Sequence, residues 1–187
     1  MNSFVVVDFE TTGLVLPRAH WDRQPGITQI GALKFNPDDW EIVDALDFLI
    51  NPELPESAWE ESAIKVTGIT PQMVVNEKSL FGRFNDITNF FVGSEVWLGY
   101  NTDFDQDALY HQLHRYGLEK NFPWPPNTVD VMKICRDRLN TVGKRGTKNV
   151  KLGEAYEEIV GKPMSNAHNA LADVTATYEI YKALNQS

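Results

Sequence analysis

The sequence predicts an α/β fold, a mixed sheet with helices packed on its faces. Two observations carry this. The first fifty residues hold three short apolar runs bounded by turn chemistry, so they can pair antiparallel. Beyond them, strand-like runs alternate with stretches of helical period, the order that lays strands beside crossover helices. With 187 residues and 42% apolar content the chain can bury a sizeable core, and we expect a single domain over residues 1–187.

The elements follow in order. Residues 3–9, centred on Phe4-Val5-Val6-Val7, read as the first strand. Residues 27–35 and 42–50 read as two more, with Leu46, Phe48 and Ile50 alternating, and Pro37-Asp38-Asp39 as the hairpin turn between them. Ser57-Ala58-Trp59-Glu60 has the form of a capping box, and Gly68 is the matching helix stop. Leu80, Phe84, Ile87 and Phe91 mark a second helix. A short strand over 96–100 precedes a helix over 105–116 that carries Leu109, Leu113 and Tyr116 on one face. Residues 128–131 read as a strand running into a basic helix, and residues 152–160 and 173–184 close the chain as helices.

Composition excludes several classes. The first residues lack a basic leader, Asp8 interrupts the apolar stretch, and no run is long enough to span a membrane. The lone Cys135 excludes an internal disulfide and fits a reducing compartment, so the expected location is cytoplasmic. Net charge is -9, from 17 basic and 26 acidic residues, which argues against a non-specific nucleic-acid binder. The charge is uneven, however. Between Lys133 and Lys151 seven basic residues face a single acid, Asp137, which reads either as a solvated face or as a phosphate track.

Three clusters carry chemistry. Asp8 and Glu10 are two apart at a strand end, so both carboxylates point the same way. Like charges so placed repel, and a divalent cation removes that cost. Asp103, Asp105 and Asp107 lie where a strand turns into a helix, a place that suits either a helix cap or an active site. Periodicity does not choose among the three. His168 and Asp173 are five apart, about 140° around a continuous helix. They converge only with His168 on the loop or first turn and Asp173 inside the helix. Together, two carboxylates on a first strand, a third at a mid-chain junction and a late His-Asp pair suit a two-metal phosphodiesterase. A histidine near neutral pKa suits the role of general base there.

On these residues the chain resembles the DEDDh 3′–5′ exonucleases of the ribonuclease-H-like superfamily. Asp8-Phe9-Glu10-Thr11-Thr12-Gly13-Leu14 matches the first family motif, Asn101 to Asp105 the second, and His168 to Asp173 the third. The likeness is strongest to the catalytic domains of bacterial replicative proofreading subunits. It implies a ribonuclease-H-like mixed five-stranded sheet flanked by helices on both faces. It selects Asp105 from its cluster, and implies two Mg²⁺, replaceable by Mn²⁺, held by Asp8, Glu10, Asp105 and Asp173, with His168 as the base. Thr11, Thr12, Gly13 and Leu14 would meet the terminal nucleotide, with Leu14 wedged against a base. Phe104 would pack beside that nucleotide or in the core, and Asn101 would orient the site or cap its turn. The implied reaction releases nucleoside 5′-monophosphates from the 3′ end of single-stranded DNA. An exoribonuclease, and a polymerase-recruiting module with secondary or absent hydrolysis, are the alternatives. Tyr100 and Thr67 stand where the family often has His, which bears on nucleotide contacts. The loop over 15–26, with Arg18, His20, Trp21 and Arg23, reads as a plain surface loop or as a rim with Trp21 stacked on a base. Asp130 reads as structural, and His111 and His114 as ordinary surface residues.

Overall fold

A computed structural model describes residues 3–16, 20–140, 149–164 and 168–186. The strands are Ser3–Thr11 (β1), Ile27–Phe35 (β2), Ile42–Leu49 (β3), Ser94–Gly99 (β4) and Asn127–Asp130 (β5). They form one sheet in the order β3-β2-β1-β4-β5. β1, β2 and β3 pair antiparallel, while β4 and β5 join parallel to β1, so the sheet is mixed as expected. β1 sits at its centre, which explains why Val5, Val6 and Val7 are all buried instead of alternating.

The helices are Glu61–Thr67 (α1), Pro71–Val74 (α2), Leu80–Phe91 (α3), Thr102–Arg115 (α4), Val131–Asn140 (α5), Leu152–Val160 (α6) and Ala170–Gln186 (α7). They divide the core in two. Val5, Val7 and Phe9 of β1 pack with Ile87 and Phe91 of α3 and Leu109 and Leu113 of α4. Val6 packs on the other face with Cys135 of α5, Ala155 of α6, and Val174 and Ile180 of α7. Cys135 is buried, and burial holds its thiol up at about 12, so it behaves as a small core hydrophobe. No described helix is long and apolar enough to cross a membrane.

Several elements depart from the sequence reading. Ser57 does not cap a helix: residues Glu56–Ala58 form a 3₁₀ turn, and α1 starts after Glu60, whose side chain makes no capping bond. Glu60 instead donates its backbone N–H to Thr12 O at 2.8 Å, so tertiary pairing with the β1 turn overrides the local motif. α2 is a single turn that carries too few residues to show a period. α4 and α7 each begin three residues earlier than the sequence reading placed them, α4 with the polar Thr102-Asp103 and α7 with Ala170-Leu171-Ala172.

Candidate active site

β1 delivers Asp8 and Glu10 to one face at its C-terminal end, opposite Gly31 and Gln29 of β2. A register shift follows between Glu10 and Thr11, where the strand leaves the ladder. Gly31 is what admits α7. A Cβ there would lie 2.3 Å from the Ala170 carbonyl carbon, so the helix start rests directly on the strand backbone. Gln29 fixes the same helix end: its Oε1 accepts from Ala170 N at 3.4 Å while its Nε2 donates to Asp47 at 2.9 Å. One turn into α7, Asp173 then reaches the β1 pair. Carboxylate oxygens of Asp8, Glu10 and Asp173 all lie within 4.8 Å of one another.

Asp105 arrives from the other side of the sheet. Of the three acids at the start of α4 it alone is buried, at 2% exposure, and its Oδ1 accepts the Phe9 N–H at 3.1 Å. Asp103 is exposed and pairs with Lys133 at 3.0 Å, and Asp107 is exposed. Burial and the Phe9 contact therefore set Asp105 apart from its two neighbours. Gly99 leaves room for the start of α4, since a Cβ there would stand 2.9 Å from Thr102 Cγ2 and 3.2 Å from Val7 O. Asn101 enters α4 with φ 82, a left-handed conformation that Asn tolerates. Its amide is held by Asp130 Oδ1 at 3.2 Å, and Asp130 also accepts from Met132 N at 3.0 Å and pairs with Lys133 Nζ at 3.2 Å. Asp130 thus latches the start of α4 to the start of α5, and the Asn101 side chain makes no cap bond.

Four carboxylates at one sheet end strain each other. Burial raises the Asp8 pKa well above the ordinary carboxylate range, and the charges of Asp105, Glu10 and Asp173 add to it. Burial does the same to Asp105, against the stabilising Phe9 N–H. Glu10 is pushed up to about 7, by burial first and by Asp173 second. Asp173 is pushed up to about 6 by burial, and is held back by the His168 amide and the His168 charge. Oxygen donors at this spacing suit a divalent cation, which is what would make the ionised cluster favourable.

His168 lies outside α7, exposed, with φ 68, and its N–H donates to Asp173 Oδ1 at 3.3 Å. The turn brings the His168 backbone amide to the Asp173 carboxylate. A cleft of about 300 Å³ opens beside Glu10, lined by Thr11, Gly13, Leu14, Thr67 and Phe104 among others. Leu14 stands 68% exposed at its edge. The Thr11 hydroxyl donates to Gly13 O at 2.7 Å, and the fully buried Thr12 hydroxyl accepts from Gly26 N at 3.1 Å, so both hydroxyls shape the turn. Tyr100 is directed away from the cleft; its hydroxyl donates to Val150 O at 2.6 Å. Of the two positions where the family often has His, only Thr67 lines the cleft. Glu60 is a lining residue that sequence reasoning missed, having been absorbed into the capping-box reading. Its side chain occupies the space that a Gly13 Cβ would take. In the basic stretch, Lys133 is spent on Asp103 and Asp130 and Arg136 pairs with Asp137, while Lys144, Arg145 and Lys148 lie outside the described residues.

A family model for the RNase_T exonucleases matches residues 5–181. The chain belongs to this exonuclease family. Its motifs make it a DEDDh-type member of the 3′–5′ exonuclease family. The PolC-type DNA polymerase III of Thermotoga petrophila is similar at 28% identity over 181 residues, covering 96% of this chain and 12% of that one. The PolC-type enzyme of Latilactobacillus sakei subsp. sakei is 30% identical over 183 residues, 96% of this chain and 11% of that one. The chain thus spans a small part of the length of these relatives. Among solved structures, exonuclease I superposes with a TM-score of 0.80 at 23% identity, covering 100% of this chain and 41% of that one. That likeness is one of fold, and the mixed sheet of this RNase_T family member is the ribonuclease-H-like one.

Proposed function

We propose that residues 1–187 form one exonuclease domain that removes nucleoside 5′-monophosphates from the 3′ end of single-stranded DNA. The observation that carries this is the carboxylate cluster of Asp8, Glu10 and Asp173, whose Glu10 also lines the adjoining cleft of about 300 Å³. Preference for DNA is supported by the similarity to PolC-type DNA polymerases and by the fold shared with E. coli exonuclease I, which has been solved with single-stranded DNA and in a zinc-bound form. A polymerase partner is a natural companion of this reading, with proofreading as the task.

Asp8, Glu10, Asp173 and the buried Asp105 would hold two divalent ions. Such ions, when bound, lower the pKa of water and neutralise charge on the scissile phosphate. The residues do the rest. Leu14 abuts the terminal base, and Phe104 closes the far wall of the cleft. The backbone of the Thr11–Leu14 turn, held rigid by its own hydroxyls, meets the 3′ end. His168, set beside Asp173 but open to solvent, takes the proton from the attacking water. The water oxygen bonds to phosphorus, the bond to the neighbouring 3′ oxygen breaks, and the shortened strand leaves with a free 3′ hydroxyl.

The test is hydrolysis of 3′- and 5′-labelled DNA oligonucleotides with Mg²⁺, beside RNA of the same sequence. A ladder shortened from the 3′ end and faster on DNA is expected. Release from the 5′ end, or no hydrolysis, would overturn the activity. Faster turnover of RNA would reassign the substrate.

A further inference from the structure

The cleft beside Glu10 has a neighbour. A second hollow of about 130 Å³ shares Gly13, Leu14 and Glu60 with it, so Leu14 is a ridge between the two. Its walls are apolar on one side, from Leu16, Pro25, Leu54 and Ala58, and among the described residues Arg23, Asp22 and Glu60 supply its charged groups.

This hollow is built, not incidental. Gln24 clamps both polar groups of Leu16: its Oε1 accepts from Leu16 N at 2.9 Å and its Nε2 donates to Leu16 O at 2.8 Å. Arg115 of α4 reaches across to the carbonyls of Trp21, Gln24 and Pro25. Gly26 is locked to Thr12 through both of its backbone polar groups. The loop is therefore tied at several points to the elements that carry the carboxylates.

Arg23 is uncommitted within this frame. Its side chain makes no ion pair or hydrogen bond with any described residue, although Asp22 is its neighbour in sequence. Asp22 is instead engaged by His20 Nδ1 at 2.9 Å. Glu60, the other acid on the wall, is directed at Gly13 and accepts from Ser62 at 3.3 Å. Elsewhere, Lys133 and Arg136 have acidic partners. In a chain of net charge -9, Arg23 is a solvent-exposed guanidinium without a partner among the described residues, on a tied loop beside the cleft, and so is available to an anionic ligand.

We infer that this hollow is the subsite for the second nucleotide from the 3′ end, with Arg23 binding that nucleotide's 5′-phosphate. The inference rests on the proposed exonuclease reading and adds a specificity-determining residue to it. The terminal nucleotide fills the cleft beside Glu10, the scissile phosphate lies over the carboxylates, and the chain crosses Leu14. The second base sits against Leu16, Pro25 and Leu54, and the next phosphate falls to Arg23. A dinucleotide without a 5′-phosphate leaves Arg23 empty, whereas a 5′-phosphorylated one engages it.

The test compares pTpT with TpT as competitors of a fluorescein-labelled dT oligonucleotide, read by anisotropy on Asp8→Asn protein, in which turnover is suppressed. The parent should bind pTpT about tenfold more tightly than TpT, as expected for one charge-assisted phosphate contact. Adding Arg23→Ala should abolish the preference, and Arg23→Lys should restore part of it. Raising salt should weaken the preference in the parent alone. A preference that survives Arg23→Ala, or no preference in the parent, overturns the assignment. Because the readout is binding, it is distinct from the hydrolysis assay: absent hydrolysis with an intact Arg23-dependent preference would sink the activity and keep the subsite.

Discussion

Without metal, the folded protein should lose stability as pH rises through the range where its site carboxylates ionise. Glu10 has its pKa displaced from 4.5 to about 7, and Asp173 from 3.8 to about 6. At ~1.36 kcal/mol per tenfold change in proton affinity, each displacement corresponds to about 3 kcal/mol. The sign follows from proton counting. Below about pH 4 both groups hold protons in the folded and unfolded chain, and nothing is lost. Between about pH 4 and 7 the unfolded chain has released its protons while the folded chain retains them, so stability falls as pH rises. Above about pH 7 the whole cost of the ionised cluster is present. Both groups are half-buried, and solvent screening reduces the total to about 3 kcal/mol. That corresponds to about 6–12 °C in Tm for a chain of this size. We predict that Mn²⁺, compared with EDTA, raises Tm by about this amount at pH 8 and by less than half of it at pH 5. Asp173→Asn in EDTA should raise Tm at pH 8 while reducing the response to Mn²⁺. Scanning fluorimetry at the two pH values measures all of this. Equal increments at pH 5 and pH 8 would refute the electrostatic account, as would a lower Tm for Asp173→Asn in EDTA.

Further predictions concern the scaffold and the chemistry. His168→Ala should slow hydrolysis by about 10²–10⁴-fold, as loss of a general base does, while Mn²⁺ still raises Tm; a lost Tm response would instead place His168 in metal binding. Gly31→Ala should destabilise by about 1–3 kcal/mol in urea unfolding and lower kcat, because the added methyl displaces the start of α7 and Asp173 with it. Asp130→Ala should cost about 2–3 kcal/mol in the same assay through loss of the amide contacts to Asn101 and Met132, whereas Asp130→Asn should retain most of the stability.

What the sequence disclosed, and what it hid, divides along local against tertiary causes. The β2 and α6 boundaries were legible because a strand run and a helical stripe ended at turn residues, and Gly68 stopped α1 with φ 72 as its position implied. Asp105 was not separable from Asp103 and Asp107 by period. Its distinction is the Phe9 amide it accepts, a contact spanning 96 residues. Glu60 was misread because the Ser57 motif is local, while its backbone bond to Thr12 is not. The tie between Arg115 and the loop carbonyls of Trp21 and Gln24 also spans more than ninety residues and leaves no sequence period to read. Arg23 looked like any loop cation, and only the hollow beside Leu14 distinguishes it.

The seating of Ala170 on Gly31 has a further consequence for the order of assembly. Asp8 and Glu10 belong to the first strand, whereas Asp173 comes from the last helix, so the carboxylate cluster is closed by the longest-range docking event in the chain. A nascent polypeptide that has not yet released α7, or one from which a protease has removed it, carries two of these three carboxylates and cannot complete the cluster. On the proposed reading, hydrolysis would therefore wait on the docking of α7.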